Sequence, residues 1–381
     1  MRHLDRASLP RRQSGIVLIL AMLIVVLVTS LVVSTSWRFE LGMSRNENRW
    51  HGLQGRMVLE GGERLVGKLL LAEDANDPTD DGGEADHLNE IWNAPQTVPI
   101  DGGAITVELE DAQGRFNINL LALPKVPVTN KPPGGADKDN PQEALRCKNN
   151  PELFDCQFTV AQRRFIRFLQ VIPLNEQLLT PEEATAITQA IIDWVDPDNE
   201  VSGFGGAEQN YYSGSEVPVV VSNAPMTTIS ELSLVKGITA ELYEKLLPYV
   251  IALPANGPGV AFLNINTMPD IMFRMFNAKE LQEPLDPEMG NLLARARNEK
   301  SDPNFAPGQG YQAPDEFVND AVLVELNLNQ NDFDAEQLVI NTSYFIYSGD
   351  VMIGDKTRRG KSLLRRDGTV VKTLWRTDAN F

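Results

Sequence analysis

Two cysteines and three histidines are the whole supply of thiol and imidazole side chains in this 381-residue sequence. The histidines are scattered at His3, His51 and His87. No His-Glu-x-x-His zinc motif, phosphate-binding Gly-x-x-x-x-Gly-Lys loop or Gly-x-Ser-x-Gly elbow is present, so no catalytic centre is legible. Positive charge is also scarce. Lys and Arg number 34 against 52 Asp and Glu, a net charge of −18. Residues 1–15 hold four arginines and one aspartate, so the remainder stands at −21. A surface of that sign repels phosphates, which argues against nucleic acid as a partner. Proline is missing between Arg11 and Asp77, so nothing there interrupts a helix. Charge is missing altogether from Ile16 to Ser36.

What is present begins with that uncharged run. About 20 apolar residues span a bilayer core, and a segment in lipid must satisfy its own backbone as a helix. Arg2, Arg6, Arg11 and Arg12 precede it and hold that end on the cytoplasmic side. Gly15 sits directly before the apolar run, whereas a secretory signal is cut after it. The order resembles a type IV prepilin leader, which implies cleavage between Gly15 and Ile16 by a prepilin peptidase and survival of the helix. The alternatives are secretory cleavage after Ser34-Thr35-Ser36 and an uncut anchor.

Beyond the run, Phe39, Leu41, Met43, Trp50, Leu53, Met57, Leu59, Leu65 and Leu69 recur at largely helical spacing among polar residues. One helix is expected from about Ile16 to Leu71, with Gly61-Gly62 a place where it could loosen. Residues 73–86 read as an acidic loop. Gly103–Leu109 and Phe116–Leu120 read as strands, and residues 124–142 as Pro/Gly-rich punctuation. Val160–Leu174 reads as a helix. Thr180, Pro181 and Glu183 form the N-cap, N1 and N3 of another, which runs to Trp194. Residues 227–250 read as two short helices turning at Lys236-Gly237-Ile238. Their outline is that of a helix-hairpin-helix, but the acidic chain favours a plain packing unit. Phe116-Asn117-Ile118-Asn119-Leu120 is echoed by Leu263-Asn264-Ile265-Asn266-Thr267, taken as two similar strand or cap segments and not as a repeat architecture. Ser343–Ile353 is a strand, and Ser362–Arg366 with Thr369–Trp375 a hairpin about Asp367-Gly368. The basic stretch from Lys356 to Arg366 suits a solvated edge strand. The fold class is α+β.

Asp193-Trp194-Val195-Asp196-Pro197-Asp198-Asn199-Glu200 is the best metal candidate, because clustered hard oxygens suit Ca²⁺. Asp196, Asp198 and Glu200 have EF-hand spacing, but Val201 replaces the required glycine and Glu208 falls one place late. The alternatives are a bent calcium loop and a solvated acidic helix end. Cys147 and Cys156 invite a disulfide outside the membrane, worth about 2–3 kcal/mol by loop closure. Two free thiols or half a metal pair are the alternatives.

With these residues in hand, the chain resembles the minor pseudopilin K family of type II secretion, the general secretion pathway protein K group. The resemblance rests on Gly15-Ile16 with its apolar helix, Leu88–Trp92, Asp111–Asn119, Asp193–Asp196, Gly206-Ala207-Glu208 and Ser230-Glu231-Leu232. It implies a pilin-like fold, a long N-terminal helix on an antiparallel sheet, carrying a large, mostly helical inserted domain. The expected division is a leader at 1–15, a membrane part at 16–36, a periplasmic helix and first strands at 37–123, the insertion at 124–335 and closing strands at 336–381. It further implies a place at the pseudopilus tip, minor pseudopilins I and J as partners, anchorage in the bacterial inner membrane, and structural Ca²⁺. The ligands expected are drawn from Asp193, Asp196, Asp198, Glu200 and Glu208. Leu20 stands where most pilins carry glutamate, which suits a subunit with none above it. A minor pilin of a type IV pilus or DNA-uptake system is the alternative, and a membrane-anchored hydrolase a more distant one.

Overall fold

A computed structural model describes the chain except residues 1–13, 77–84, 123–140, 176, 215–217, 256–259, 302–308, 327, 329–335, 369 and 378–381. The leader residues before Ser14 and most of the loops at 73–86 and 124–142 therefore lie outside the described residues.

Helix α1 runs unbroken from Ser14 to Asn76. Its first half is exposed throughout and is apolar and long enough to cross a membrane. Its second half buries Leu59, the pair Gly62-Glu63, Val66 and Leu70, recurring every three or four positions, on a sheet. Gly61-Gly62 does not loosen it. A Cβ at Gly62 would lie 2.6 Å from the Tyr347 hydroxyl, so the glycine permits close approach. That hydroxyl donates to the Leu59 carbonyl at 2.9 Å.

The sheet has five antiparallel strands in chain order: β1 (Gln96–Ile100), β2 (Gly103–Asp111), β3 (Tyr344–Ile353), β4 (Lys356–Asp367) and β5 (Val370–Thr377). Asp367-Gly368 turns β4 into β5, with Gly368 at φ +57°. Alternation sorts the two faces. Phe345, Tyr347 and Val351 join Leu59, Val66 and Leu70 of α1. Tyr344 and Ile346 face the other way and meet Ile251, Leu253 and Ala261 of the helical body.

That body is inserted between neighbouring strands. Asp111 of β2 pairs with Phe345 of β3, so the chain leaves and returns at one point. The junction is a buried polar knot. Asp111 accepts from the Gln113 amide, from Asn264 Nδ2 at 2.9 Å, and from the hydroxyls of Thr267 and Thr342. Asp86 accepts from the Thr342 amide and from Arg366. Burial pushes the Asp86 carboxyl up to about 6 despite Arg366, and raises Asp111 as well. The core of the body runs from Phe116 to Leu338, so Phe116 to Leu121 pack there and not with the strands before them.

Further sequence expectations change: the basic stretch Lys356–Arg366 lies in β4, between β3 and β5 and not at the sheet edge, and three elements differ. Phe116–Leu120 is not a strand throughout: Phe116-Asn117 is, and Ile118–Ala122 is a 3-10 helix. The cause is Asn117, whose Oδ1 accepts the Asn119 and Leu253 amides and bends the chain. The helix α2 from Val160 stops at Leu169, because Pro173 ahead cannot continue it and instead pairs with Leu178. The segment before Gly237 is a 3-10 helix, Ile229–Leu234, followed by α4 (Ala240–Leu246). The helix predicted from Thr180 forms as α3 (Pro181–Val195), with the full capping box.

The Asn echo is more than two similar segments. Phe116-Asn117 pairs in parallel with Val250-Ile251, and Leu263-Asn264 in parallel with Leu338-Val339. In each, the second asparagine bonds both backbone groups of one distant residue. Asn119 takes the amide and carbonyl of Met226, and Asn266 those of Tyr311. A short helix follows each gripped residue, Ile229–Leu234 and Pro314–Val318. The body is two halves on one plan.

Candidate cation site and helix face

Helix α3 ends in a loop shaped by Asp193, which is fully buried on its last turn. The Asp193 carboxylate accepts the Ser202 amide at 2.9 Å and the Ala207 amide at 2.6 Å. Gln189 accepts the Gly205 amide at 2.8 Å. The loop closes so tightly that a Cβ at Gly206 would lie 2.3 Å from Asp193 Oδ2. This folding brings Asp196, Asp198 and Glu208 together, each offering a carboxylate oxygen within 4.8 Å of the others.

Glu208 is buried to 5 % exposure, and neither of its carboxylate oxygens has a hydrogen-bond partner among the described residues. Asp196 Oδ1 is buried and unpartnered too. An unsatisfied buried acceptor is costly, and three like charges this close repel. Burial and the neighbouring charges of Asp198, Asp193 and Glu208 push Asp196 up to about 7. Burial, with Asp193 and Asp198, raises Glu208. The donor set is all hard oxygen, which fits Ca²⁺ or Mg²⁺ and not a soft metal.

Of the five residues predicted from sequence, three converge. Asp193 spends both oxygens on backbone amides and builds the loop. Glu200 is exposed and outside the cluster, because its amide turns in to bond Asp198 Oδ1 at 2.8 Å. Gly15 and Ile16 lie in the first turn of α1. Cys147 and Cys156 are bonded to each other, with Cα atoms 5.2 Å apart. Sequence reading missed Gln189 and Lys236, which hold the loop backbone, and nothing in their spacing marks them.

A second feature lies on α1. Trp50, Leu53, Met57, Leu65 and Leu69 are exposed, three to eight apart, on a stripe offset from the residues that bury on the sheet. Gly61 falls in the same register and keeps the stripe flat. The stripe continues the apolar surface of the membrane half.

Residues 114–255 match the family profile for type II secretion system (T2SS), protein K. The type II secretion system protein K of Aeromonas hydrophila is 30 % identical over 259 residues, 68 % of each chain. That of Pseudomonas aeruginosa is 27 % identical over 366 residues, covering 94 % of this chain and 91 % of the relative. The fold is similar to a chain in the crystal structure of the GspK-GspI-GspJ complex from the enterotoxigenic Escherichia coli type 2 secretion system. The TM-score is 0.62 at 23 % identity, over 87 % of this chain and 98 % of that one. The chain belongs to the type II secretion system protein K family.

Proposed function

We propose that this protein is a structural, non-enzymatic minor pseudopilin that caps the periplasmic pseudopilus. In this reading it is anchored once in the inner membrane after a prepilin peptidase cuts between Gly15 and Ile16, with the rest of the chain in the periplasm. The observation that carries the reading is the apolar stripe from Trp50 to Leu69, laid on a helix whose other side is already committed to the sheet. Exposed apolar surface in a continuous line marks a contact with another protein, and neighbouring pseudopilin helices are the occupants that suit it. The solved relative assembles with GspI and GspJ, so I- and J-type subunits are the partners we assign. The inserted body beside the sheet is too bulky for the middle of a narrow shaft. Leu20 supports the same place, since it supplies no carboxylate for a subunit above.

Calcium bound by Asp196, Asp198 and Glu208 would satisfy the orphaned oxygens of Asp196 and Glu208 and hold the end of α3. Its role here is structural, through ligand binding to the native state.

Co-purification tests the assembly. Leu53→Glu with Met57→Glu should abolish capture of the I- and J-type subunits while leaving the melting temperature unchanged, because a charge in an apolar contact is costly and both sites are exposed. Undiminished capture would overturn the stripe as the contact, and finding the wild type all along the shaft would overturn the cap.

A further inference from the structure

We propose that Lys236 is the positioning residue of the cation site, a half-buried ammonium that holds the loop in binding geometry before the ion arrives. The inference rests on the reading of Asp196, Asp198 and Glu208 as ligands. Lys236-Gly237-Ile238 is the turn of the helix-hairpin-helix outline seen in the sequence. Here the lysine is spent on the chain's own backbone. Gly237 has φ +85°, and a Cβ there would lie 3.0 Å from Ile187 Cγ1. The turn is thus pressed against α3, the helix that carries Asp193.

From that position Lys236 Nζ donates to the Gly205 carbonyl at 3.0 Å and to the Gly206 carbonyl at 3.1 Å. Its backbone amide donates to the Tyr212 hydroxyl at 3.0 Å, and its ammonium lies 5.0 Å from the centre of the Tyr211 ring. Lys236 therefore grips the chain on both sides of Glu208.

One peptide decides the geometry. The unit joining Gly206 to Ala207 gives its carbonyl to Lys236 and its amide to Asp193. A planar group held at both ends cannot rotate, and it directly precedes the residue pair that ends in Glu208. Without this clamp the three carboxylates would relieve their repulsion by letting Glu208 swing away. Ion binding would then have to order the loop and lose affinity accordingly.

The lysine also acts in the opposite sense, because its positive charge repels a second cation. If that repulsion dominates, removing the charge tightens binding. If the clamp dominates, removal weakens it. The geometry points to the clamp, since both carbonyls that face the ammonium belong to the loop backbone.

Calcium titration of the full chain in detergent, by calorimetry well below the melting temperature, separates these cases. Lys236→Met should weaken calcium binding about 10-fold, the usual size for a residue that orients a ligand from outside the coordination sphere. Lys236→Arg, which keeps charge and donors, should stay within about threefold of wild type. Should the methionine variant fail to fold, Lys236→Gln must show the same direction of change. Unchanged or tighter binding in Lys236→Met or Lys236→Gln, with wild type binding normally, overturns the positioning role alone. Wild type that takes up no calcium overturns the cation site and this inference together.

Discussion

The two halves of the inserted body share a plan and differ in the charged side chain that fixes the end of the helix before the gripped residue. In the first half α3 ends with Asp193, whose carboxylate collects the backbone amides of Ser202 and Ala207. In the second half the helix α5 (Pro287–Ser301) buries Arg297, which donates to the carbonyls of Asn266 and Met268 and to the Asp270 carboxylate. An acid gathers N–H groups and an arginine gathers carbonyls. The first choice curls a loop around itself and leaves further carboxylates crowded and unpaired. The second closes its own account with Asp270. Among the described residues, the acidic cluster belongs to the first half only. One framework thus carries a candidate ion site in one copy and a self-satisfied arginine in the other.

The largest effects should show what the halves share. Asn119→Ala removes three buried backbone contacts and Asn266→Ala two, each orphaning its partners, at about 3 kcal/mol apiece. Denaturant unfolding should find the two losses within about 1 kcal/mol of each other. A much larger loss at one site would break the equivalence.

Withdrawing calcium should separate the halves. At about 100 times its dissociation constant an ion adds about 2.7 kcal/mol of stability. A chelator should lower the melting temperature and deprotect amides at 193–208 while leaving 287–301 unaffected in hydrogen exchange. Asp196→Ala with Asp198→Ala should melt alike with and without chelator. A chelator effect centred on 287–301 would place the ion in the wrong half.

A third difference is titratable. Asn117 bonds the carbonyls of Pro254 and Ala261, whereas its counterpart Asn264 bonds the Asp111 carboxylate beside Asp86. With Asp86 raised to about 6 by burial, the native state holds more protons than the unfolded chain between pH 4 and 7. Stability attached to this knot should therefore rise as pH falls from 7 to 5, by about 1 kcal/mol. Hydrogen exchange at 264–267 and 342–346 should report it, and at 117–122 should not. Loss of protection at 264–267 over that interval would reverse the sign and refute the assignment.

The smallest effect should come from Glu200→Gln. Its side chain lies outside the cluster, so calcium affinity should change by less than about twofold. A tenfold loss would bring Glu200 back among the ligands.

Much of this was legible from the residues. Thr180, Pro181 and Glu183 announce the start of α3, because capping is decided within one turn. Asp367-Gly368 announces the last hairpin for the same reason. The Asn echo was visible too, but its meaning was not. Asn119 reaches Met226 and Asn266 reaches Tyr311, and such partners have no fixed sequence offset. Glu200 matched a familiar spacing and still fell outside, since where the loop turns depends on Asp193 taking two distant amides.

By itself the sequence determined the uncharged helix that can span a membrane, the continuity of α1, the strand alternation and the acidic stretch after α3. These follow from periodicity, charge and local backbone chemistry, which neighbours along the chain decide among themselves. Tertiary structure alone decided that Asp111 and Phe345 meet across the whole insertion, that Glu208 joins Asp196 and Asp198, and that Lys236 turns inward to Gly205 and Gly206. Each of these joins groups far apart in sequence, and which groups meet is settled only when the core excludes water and every buried amide, carbonyl and carboxylate must find a partner.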